Sequence, residues 1–285
     1  MKIIDHQRID GLVPDTRGQR VFPTGVLNHF DPFVMLDHIG PSVMPANWRL
    51  DGGSDLHPKL HPHRGFETIT FMFQGNMHHR DNRFTARPLL TNGSVQLMNA
   101  GRGIQHGGDM WPDDQQKFHE IQLWVNSPGK YKMSEPRVHS VHDADIPARI
   151  LSGASGEARL RIVAGELDGI TGPINTFADI RILHGKVSGE QKLAFGPSQL
   201  PEGHNRTMLY LLSGSVSVKG EILRAFQAAA FEQVLSSLEF SASDSEFLLL
   251  SGQSLNETIA FGGSFVMNTR EEIQQVQRDY ALGLF

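Results

Sequence analysis

The chain of 285 residues contains no cysteine. This absence excludes disulfide bonds, thiolate metal sites and cysteine nucleophiles together. A metal bound by this protein must therefore be held by nitrogen and oxygen ligands. Neutral imidazole is the commonest protein ligand for borderline divalent metals.

The sequence also lacks a long basic run and a long apolar run. Its formal net charge is −5 at pH 7, which gives no electrostatic footprint for nucleic acid or anionic lipid. The first residues carry charges and a proline where a signal peptide needs an apolar core. No apolar run approaches the length that spans a membrane. We therefore expect a cytoplasmic protein that binds neither nucleic acid nor membrane directly.

Helical periodicity is scarce, whereas short β-type runs recur between glycine, proline and asparagine breaks. These runs include residues 67–73, 94–98, 120–125, 180–183, 208–212 and 247–250. A chain of this length can bury two separate cores, so we expect an all-β protein with two barrels.

One helix is predicted near the end of the sequence. Thr269 and Glu272 have the spacing of a capping box at its start. Ile273, Val276 and Tyr280 follow at roughly helical spacing and form one apolar stripe. We expect this stripe to bury against a barrel.

A polar stretch that begins at Ser127-Pro128-Gly129 is typical of a connection between domains. We place the boundary near residue 135, with one domain at 1–135 and the other at 136–285. The two halves also resemble each other weakly, because the strand that ends at Gly75 is similar to the strand that ends at Gly214. This similarity favours a duplicated barrel.

Histidine is concentrated in the first half, where 12 of the 14 lie at or before residue 142. In His61-Pro62-His63, the two imidazoles should point to the same side of an extended segment. His106 follows a glycine-rich turn about forty residues later, which suits a third ligand from a facing strand. The three histidines form a candidate divalent-metal site. The alternative is a polar strand start with an unrelated turn histidine.

Five segments resemble the signature segments of the pirin family, in the family's order and across nearly the whole chain. They are DPFVMLDHIGP at 31–41, HPHRGFETITF at 61–71, GSVQLMNAGRGIQH at 93–106, IQLWVNSP at 121–128 and FVMNTREEI at 265–273. The resemblance implies two stacked cupin barrels, each a double-stranded β-helix, with a short C-terminal helix.

The resemblance also implies one divalent metal, with Fe(II) as the first candidate, in the N-terminal barrel alone. Pirins bind it with three histidines and one glutamate, and their histidines correspond to His61, His63 and His106. The glutamate does not carry over, because Gly108 stands at its position. We expect this glycine to leave room for a carboxylate unless its backbone needs a positive φ.

Three replacements for the missing glutamate remain open. Asp109 could swing in, Glu120 could reach the cavity, or water could complete the site. Glu120 stands where the family usually has glycine, and alternation places it on one strand face with Gln122 and Trp124. The other reading makes Asp109 a turn cap and Glu120 a solvated carboxylate.

The remaining polar candidates have simpler readings. Glu67 is expected to be a structural hydrogen-bond acceptor, and His79 and Asp81 are expected to fix a loop. His57 and His119 are spare metal candidates. His204 stands alone in the second half, and a lone histidine is more often a hydrogen-bonded residue than a ligand.

Some pirins resemble quercetin 2,3-dioxygenases, in which the metal binds the deprotonated enol oxygen and the protein acts as base. The resemblance therefore implies cleavage of a flavonoid-like small molecule by dioxygen. The missing glutamate weakens the expectation of catalysis more than that of metal binding. Two other hypotheses remain, a non-enzymatic metal-dependent regulator with a protein partner and a pirin with a degraded site.

Overall fold

The computed structural model describes residues 1–9, 13–53 and 59–285. These residues are mostly β-strand, with two short 3-10 helices at Gly129–Tyr131 and Asp143–Asp145 and one α-helix. The predicted all-β class with a short C-terminal helix is confirmed. Within the described ranges, no helix combines the length and apolar character required to cross a membrane.

Up to residue 141 the strands have at most 11 residues, whereas the strands after it have up to 16 residues. The earlier strands are β1 (Lys2–Ile4), β2 (Gln7–Ile9), β3 (Gly18–Phe22), β4 (Phe33–Val43), β5 (His61–His63), β6 (Phe66–Gln74), β7 (Asn76–Asp81), β8 (Leu89–Leu90), β9 (Val95–Asn99), β10 (Ile104–Trp111), β11 (Lys117–Asn126) and β12 (Arg137–Val141). The later elements are β13 (Ala148–Gly153), β14 (Gly156–Ala164), β15 (Glu166–Leu167), β16 (Ile170–Thr171), β17 (Ile180–Phe195), β18 (Arg206–Val218), β19 (Glu221–Leu223), β20 (Ala228–Phe231), β21 (Leu238–Gly252), β22 (Ala260–Phe261), β23 (Val266–Met267) and α1 (Arg270–Ala281).

The chain divides into two compact units, each built from three segments. The N-terminal barrel comprises Arg8–Arg20, Phe33–Asp143 and Leu255–Phe285, and the C-terminal barrel comprises Met1–Gln7, Val21–Pro32 and Ala144–Ser254. This division differs from the single boundary that we placed near residue 135. The last segment of the chain, including α1, groups with the N-terminal barrel instead of with the strands that precede it.

The N-terminal barrel contains two antiparallel sheets that pack around a shared core. The larger sheet has the order β12-β9-β6-β11-β4-β3-β2, and the smaller has the order β5-β10-β7-β8. One apolar cluster takes Met72 and Phe118 from the larger sheet and Met77 and Leu90 from the smaller one. The two sheets therefore face each other, and side chains that alternate inward from both reach a common interior.

The C-terminal barrel is built on one antiparallel sheet. Its order is β1-β20-β18-β21-β17-β14-β13, with β19 paired to β18. Leucine, valine and phenylalanine side chains fill its core, among them Leu183, Leu209 and Phe247, which are at most 1% exposed. This large apolar cluster is what a sheet with one buried face requires.

Helix α1 begins as predicted, because Thr269 Oγ1 accepts from the Glu272 N–H and Glu272 reaches back to the Thr269 N–H. Ile273 and Val276 are buried in one cluster with Phe265. Tyr280, however, is 39% exposed, so its place in the buried stripe was wrong. Its ring contacts the rings of Phe265 and Phe285, which belong to that cluster.

Candidate metal centre

Two paired strands bring the three predicted histidines together. In the register of β5 and β10, His61 lies opposite His106 and His63 lies opposite Ile104. Alternation therefore puts all three imidazoles on one face of the smaller sheet. Their ring centroids are 4.5 to 5.0 Å apart.

The nitrogen atoms of this cluster fit one metal ion. The ligand atoms of His61, His63 and His106 all lie within 4.8 Å of one another. His106 Nε2 is buried and has no hydrogen-bond partner within the described part of the chain. A buried polar atom left without a partner is destabilising, and a divalent metal would give this nitrogen its ligand role.

Burial keeps the three imidazoles neutral, which is the form that binds metal. It lowers the pKa of His63 to about 3, with a further contribution from nearby His61 and opposition from the Ser264 carbonyl. Burial also holds the pKa of His106 well below its usual value, and that of His61 below it to a smaller extent. His61 is the exposed member of the set.

The segment before α1 orients one of these ligands. His63 Nδ1 donates to the Ser264 carbonyl at 3.0 Å, which leaves its Nε2 free for a metal. Arg64, the next residue, pairs with Asp279 of α1 at 2.6 Å, and its carbonyl accepts from the Val266 N–H. Strand β5 and the residue after it are thus bound to residues 264–279 by two hydrogen bonds and one ion pair.

Lys132 is a buried residue that sequence reasoning missed. Its Nζ donates to the carbonyls of Gly65 and Val266 and to Asn126 Oδ1, at 2.7, 3.1 and 2.5 Å. Burial lowers the pKa of Lys132 to about 8. A lysine in a connecting loop ordinarily lies in solvent, so no sequence signal marked this contact next to the metal-ligand strand.

Two aromatic side chains form a wall beside the cluster. The His63 ring is 5.1 Å from Phe66 and 5.3 Å from Trp124, and those two rings are 4.3 Å apart. Trp124 Nε1 is buried without a partner in the described residues. At Trp124, the face of β11 that was predicted to carry Glu120, Gln122 and Trp124 therefore contacts the histidine cluster.

Asp109 does not belong to the cluster. It lies inside strand β10, where its carboxylate accepts from Arg80 Nε and Nη2 at 2.9 and 2.7 Å and from the Gly52 N–H at 2.8 Å. The turn-cap reading was wrong, because β10 runs on to Trp111. By alternation, Asp109 points to the opposite side from His106.

Glu120 is buried in the N-terminal barrel, so the solvated reading of this residue was wrong. It is 4% exposed, and its Oε2 has no partner among the described residues. Burial raises the pKa of Glu120 to about 7. Its carboxylate is not one of the close-set ligand atoms.

Gly108 and Glu120 both have a neighbour in the same apolar cluster of this barrel. Glu120 is in register with Met72 of β6, whereas a side chain at Gly108 would touch Met77 of β7. Met72 and Met77 belong to one apolar cluster. The chain therefore carries a buried carboxylate on β11, whereas position 108 of β10 carries none.

Space at Gly108 is smaller than we expected from the sequence. The backbone is not in the positive-φ region, but an added Cβ would come 2.9 Å from the His78 carbonyl oxygen and 3.1 Å from Met77 Cγ. The expectation that glycine leaves room for a carboxylate was wrong, because the neighbouring strand β7 occupies that room.

The loop-fixing prediction for His79 and Asp81 is confirmed. The two side chains are joined at 3.0 Å, and Asp81 Oδ1 accepts from the N–H groups of Arg83 and Phe84. The His79 ring also stacks 5.5 Å from His106. It therefore packs against a metal-ligand candidate, which the motif alone did not reveal.

Glu67, His119 and His204 have partners outside the cluster. Glu67 accepts from Arg137 at 3.2 Å, as expected of a structural acceptor. His119 lies against His38, with their Nε2 atoms 2.6 Å apart. His204 bonds to Ser251, and His57 lies outside the described residues.

Comparison with known proteins agrees with this geometry. A family model described as Pirin matches residues 15–125, and one described as Pirin C-terminal cupin domain matches residues 185–285. A Pseudomonas aeruginosa protein with a provisional quercetin 2,3-dioxygenase name is 36% identical, over 90% of this chain and 87% of its own. A pirin-like protein of Caulobacter vibrioides is 32% identical, over 93% of this chain and 91% of its own.

Solved structures share the architecture. Quercetin 2,3-dioxygenase from Acinetobacter baumannii has a TM-score of 0.83 and 29% identity, over 100% of this chain and 97% of that one. The Escherichia coli pirin YhhW, solved with nickel(II), has a TM-score of 0.66 over 89% of this chain and 99% of its own. At 16% identity, this second likeness supports the fold alone.

Proposed function

Because the chain belongs to the pirin family, we propose that it is a metal-dependent dioxygenase that cleaves a flavonol-like small molecule in its N-terminal barrel. The observation that carries the proposal is the cluster of three histidines, with ligand atoms within 4.8 Å of one another. The name of the similar enzyme from Acinetobacter baumannii supports the substrate class.

His61, His63 and His106 would hold one divalent ion, with Fe(II) as the first candidate. When bound, such an ion supplies Lewis-acid and dioxygen chemistry that side chains lack. The three imidazoles are neutral and leave the charge of the ion uncompensated. A carboxylate in the same barrel is therefore expected to strengthen binding even without direct ligation.

Glu120 is the proposed proton acceptor of the reaction. Its Oε2 is buried without a partner in the described residues, and its pKa is raised to about 7 by burial. A base with a pKa near the working pH is best suited to remove a proton from a substrate hydroxyl. Asp109 is excluded from this role because Arg80 and Gly52 engage its carboxylate.

Trp124 would bind the aromatic part of the substrate, with Phe66, which is 0% exposed, packed against it. Both rings lie beside His63, and flat aromatic ligands pack favourably against such rings. The unpartnered Trp124 Nε1 can donate one hydrogen bond to a substrate oxygen. This wall also keeps water away from the side of His63 that it covers.

The test is oxygen uptake by the Fe(II)-loaded protein with quercetin and related flavonols. We expect Glu120→Gln to lower the turnover rate by about 10²- to 10⁴-fold, the usual contribution of a general base. Asp109→Asn is the matched control, because it removes a carboxylate of the same barrel that points away from the cluster. Its turnover should stay within a few-fold of the native value.

Other results would redirect the assignment. Equal turnover by the native protein and Glu120→Gln would show that the base lies elsewhere. Stoichiometric metal without oxygen uptake on any flavonol would favour the metal-dependent regulator, for which Gly108 in place of the family's glutamate is the supporting observation. A cytoplasmic location and a protein partner stay predictions.

A further inference from the structure

The C-terminal barrel contains a buried arginine with two hydrogen-bond donors that have no partner among the described residues. Arg181 lies on β17 and is 2% exposed. Its Nη1 donates to the Gln199 carbonyl, but Nε and Nη2 have no hydrogen-bond partner among the described residues. Leaving two buried donors of a charged group unsatisfied is strongly unfavourable. These donors therefore point to a ligand.

Nε and Nη2 form the edge of the guanidinium that can bind a carboxylate side-on, by donating one hydrogen bond to each of its oxygens. Elsewhere in this chain, Arg20 binds Asp37 through Nε and Nη2 at 2.7 and 2.6 Å. Arg80 binds Asp109 through the same two atoms at 2.9 and 2.7 Å. Two parallel N–H groups match the two oxygens of a carboxylate in geometry and charge.

Arg181 lines a cavity of about 540 Å³. The apolar side chains of Leu167, Ile180 and Leu200 line the same space, so it offers both a charged point and an apolar surface. A volume of this size is within the usual range for small-molecule sites. The combination fits an organic anion better than an inorganic one.

Acidic side chains around the cavity limit the charge of its ligand. Four acids line the cavity, namely Glu166, Asp168, Asp179 and Glu202. Asp168 pairs with Arg149 at 3.1 Å, and Asp179 lies 3.2 Å from His204. These carboxylates disfavour any negative charge on a ligand, and the single guanidinium of Arg181 can offset one such charge but not two. Burial lowers the pKa of Arg181 to about 10, so the arginine remains charged at neutral pH.

We propose that this cavity binds a small organic monocarboxylate, whose two oxygens accept from Arg181 Nε and Nη2 while its apolar part contacts Leu167 and Leu200. The site lies within the C-terminal barrel and is separate from the histidine cluster. The results of metal-binding and oxygen-uptake experiments on the N-terminal barrel therefore do not test the carboxylate site.

The probe is benzoate, with benzyl alcohol as its uncharged match and inorganic phosphate as the dianionic comparison. Isothermal titration calorimetry of the full chain should detect benzoate with a dissociation constant on the order of 1 mM or tighter. Neither benzyl alcohol nor phosphate should bind measurably. Stronger binding of phosphate than of benzoate would overturn the ligand class.

Arg181→Lys keeps the positive charge but removes the fork, and we expect it to weaken benzoate binding at least about tenfold. Arg224→Lys, at an exposed position of the same barrel, should bind as the native protein does. Absence of benzoate binding to the native chain, or equal affinity of Arg181→Lys, would refute the site. If Arg181→Lys does not fold, a crystal structure with benzoate decides, because the proposal requires its carboxylate at Nε and Nη2.

Discussion

His63 Nδ1 donates a hydrogen bond to the Ser264 carbonyl, 3.0 Å away, across a separation of 201 residues. Because the carbonyl can only accept, the bond fixes the proton on Nδ1 and directs Nε2 to the neighbouring imidazoles. Lys132 makes a second tie of the same kind, between Gly65 and Val266. Residues 264–266 are therefore part of the structure that orients the candidate metal ligands.

Replacing Lys132 should weaken that support. Lys132→Met leaves two carbonyls and one side-chain amide without their buried donor. We expect the free energy of unfolding to fall on the order of 3 kcal/mol and metal affinity to fall with it. Urea denaturation measures the first effect. Lys130→Met is the exposed control, and an equal loss there would contradict the proposed tie.

Metal content tests the histidine cluster directly. After loading with Fe(II), elemental analysis of the native protein should give about one equivalent per chain, since the three imidazoles are placed to share one ion. His61→Ala, His63→Ala and the double variant should each lose it. His139→Ala replaces an exposed histidine of the same barrel and should retain it. Full metal retention by the double variant would disprove the assignment.

The sequence was sufficient for the metal-ligand candidates because the spacing of His61 and His63 has a direct geometric meaning in a strand. It was insufficient for the supporting contacts. Ser264 and Lys132 lie far from the histidines along the chain, and nothing in their local pattern marks a buried partner. Asp109 was misjudged as a turn cap because strand pairing with β7, which the sequence does not reveal, carries β10 through Gly107 and Gly108 to this residue.

Fold class was predictable from the recurrent short β runs, but the course of the chain between the barrels was not. A boundary near residue 135 assumes that neighbouring segments pack together. The structure instead groups Leu255–Phe285 with the N-terminal barrel. Packing of Val266 with Val34 and Phe66, together with the Arg64–Asp279 ion pair, accounts for part of this grouping. Such long-range contacts leave no periodic signal in the sequence.

Glu120 should make the stability of the metal-free protein depend on pH. Between its ordinary pKa of 4.5 and about 7, the folded protein holds a proton that the unfolded chain releases. The free energy of unfolding therefore falls as pH rises through this window, by up to about 3 kcal/mol. Glu120→Gln should remove that fall, so the variant is the more stable protein at pH 8. Urea denaturation of the native protein and Glu120→Gln at pH 5 and pH 8 measures the free energy of unfolding of each. If it changes with pH equally in the two proteins, Glu120 does not have a raised pKa in the folded state.

Helix α1 should depend on its buried residues and little on Tyr280. Ile273→Ala removes a side chain that is 7% exposed and should lower the free energy of unfolding by about 2–5 kcal/mol. Tyr280→Ala, at 39% exposed, should have a clearly smaller effect. Thermal unfolding of the two variants compares them under the same conditions. A larger loss of stability for Tyr280→Ala than for Ile273→Ala would support the original expectation that Tyr280 belongs to the buried stripe.

Gly108 is the position where restoring the family's glutamate appears simplest and where the structure opposes it. An added Cβ meets the His78 carbonyl at 2.9 Å, and this oxygen belongs to a paired strand that cannot swing aside as a flexible side chain can. Gly108→Ala should therefore destabilise the protein by about 1–3 kcal/mol, as overpacking of a core does.

Gly25→Ala is the matched control, because nothing lies within 4 Å of the Cβ it would add. Gly108→Glu carries the same clash together with a longer side chain, so we expect lower stability and no gain in Fe(II) affinity over the native protein. Urea denaturation and metal titration of the three variants measure both quantities. If Gly108→Ala is neutral and Gly108→Glu binds Fe(II) more tightly, strand β7 yields to the new side chain. The carboxylate of this barrel would then not have to come from Glu120, and the role proposed for that residue would lose its structural reason.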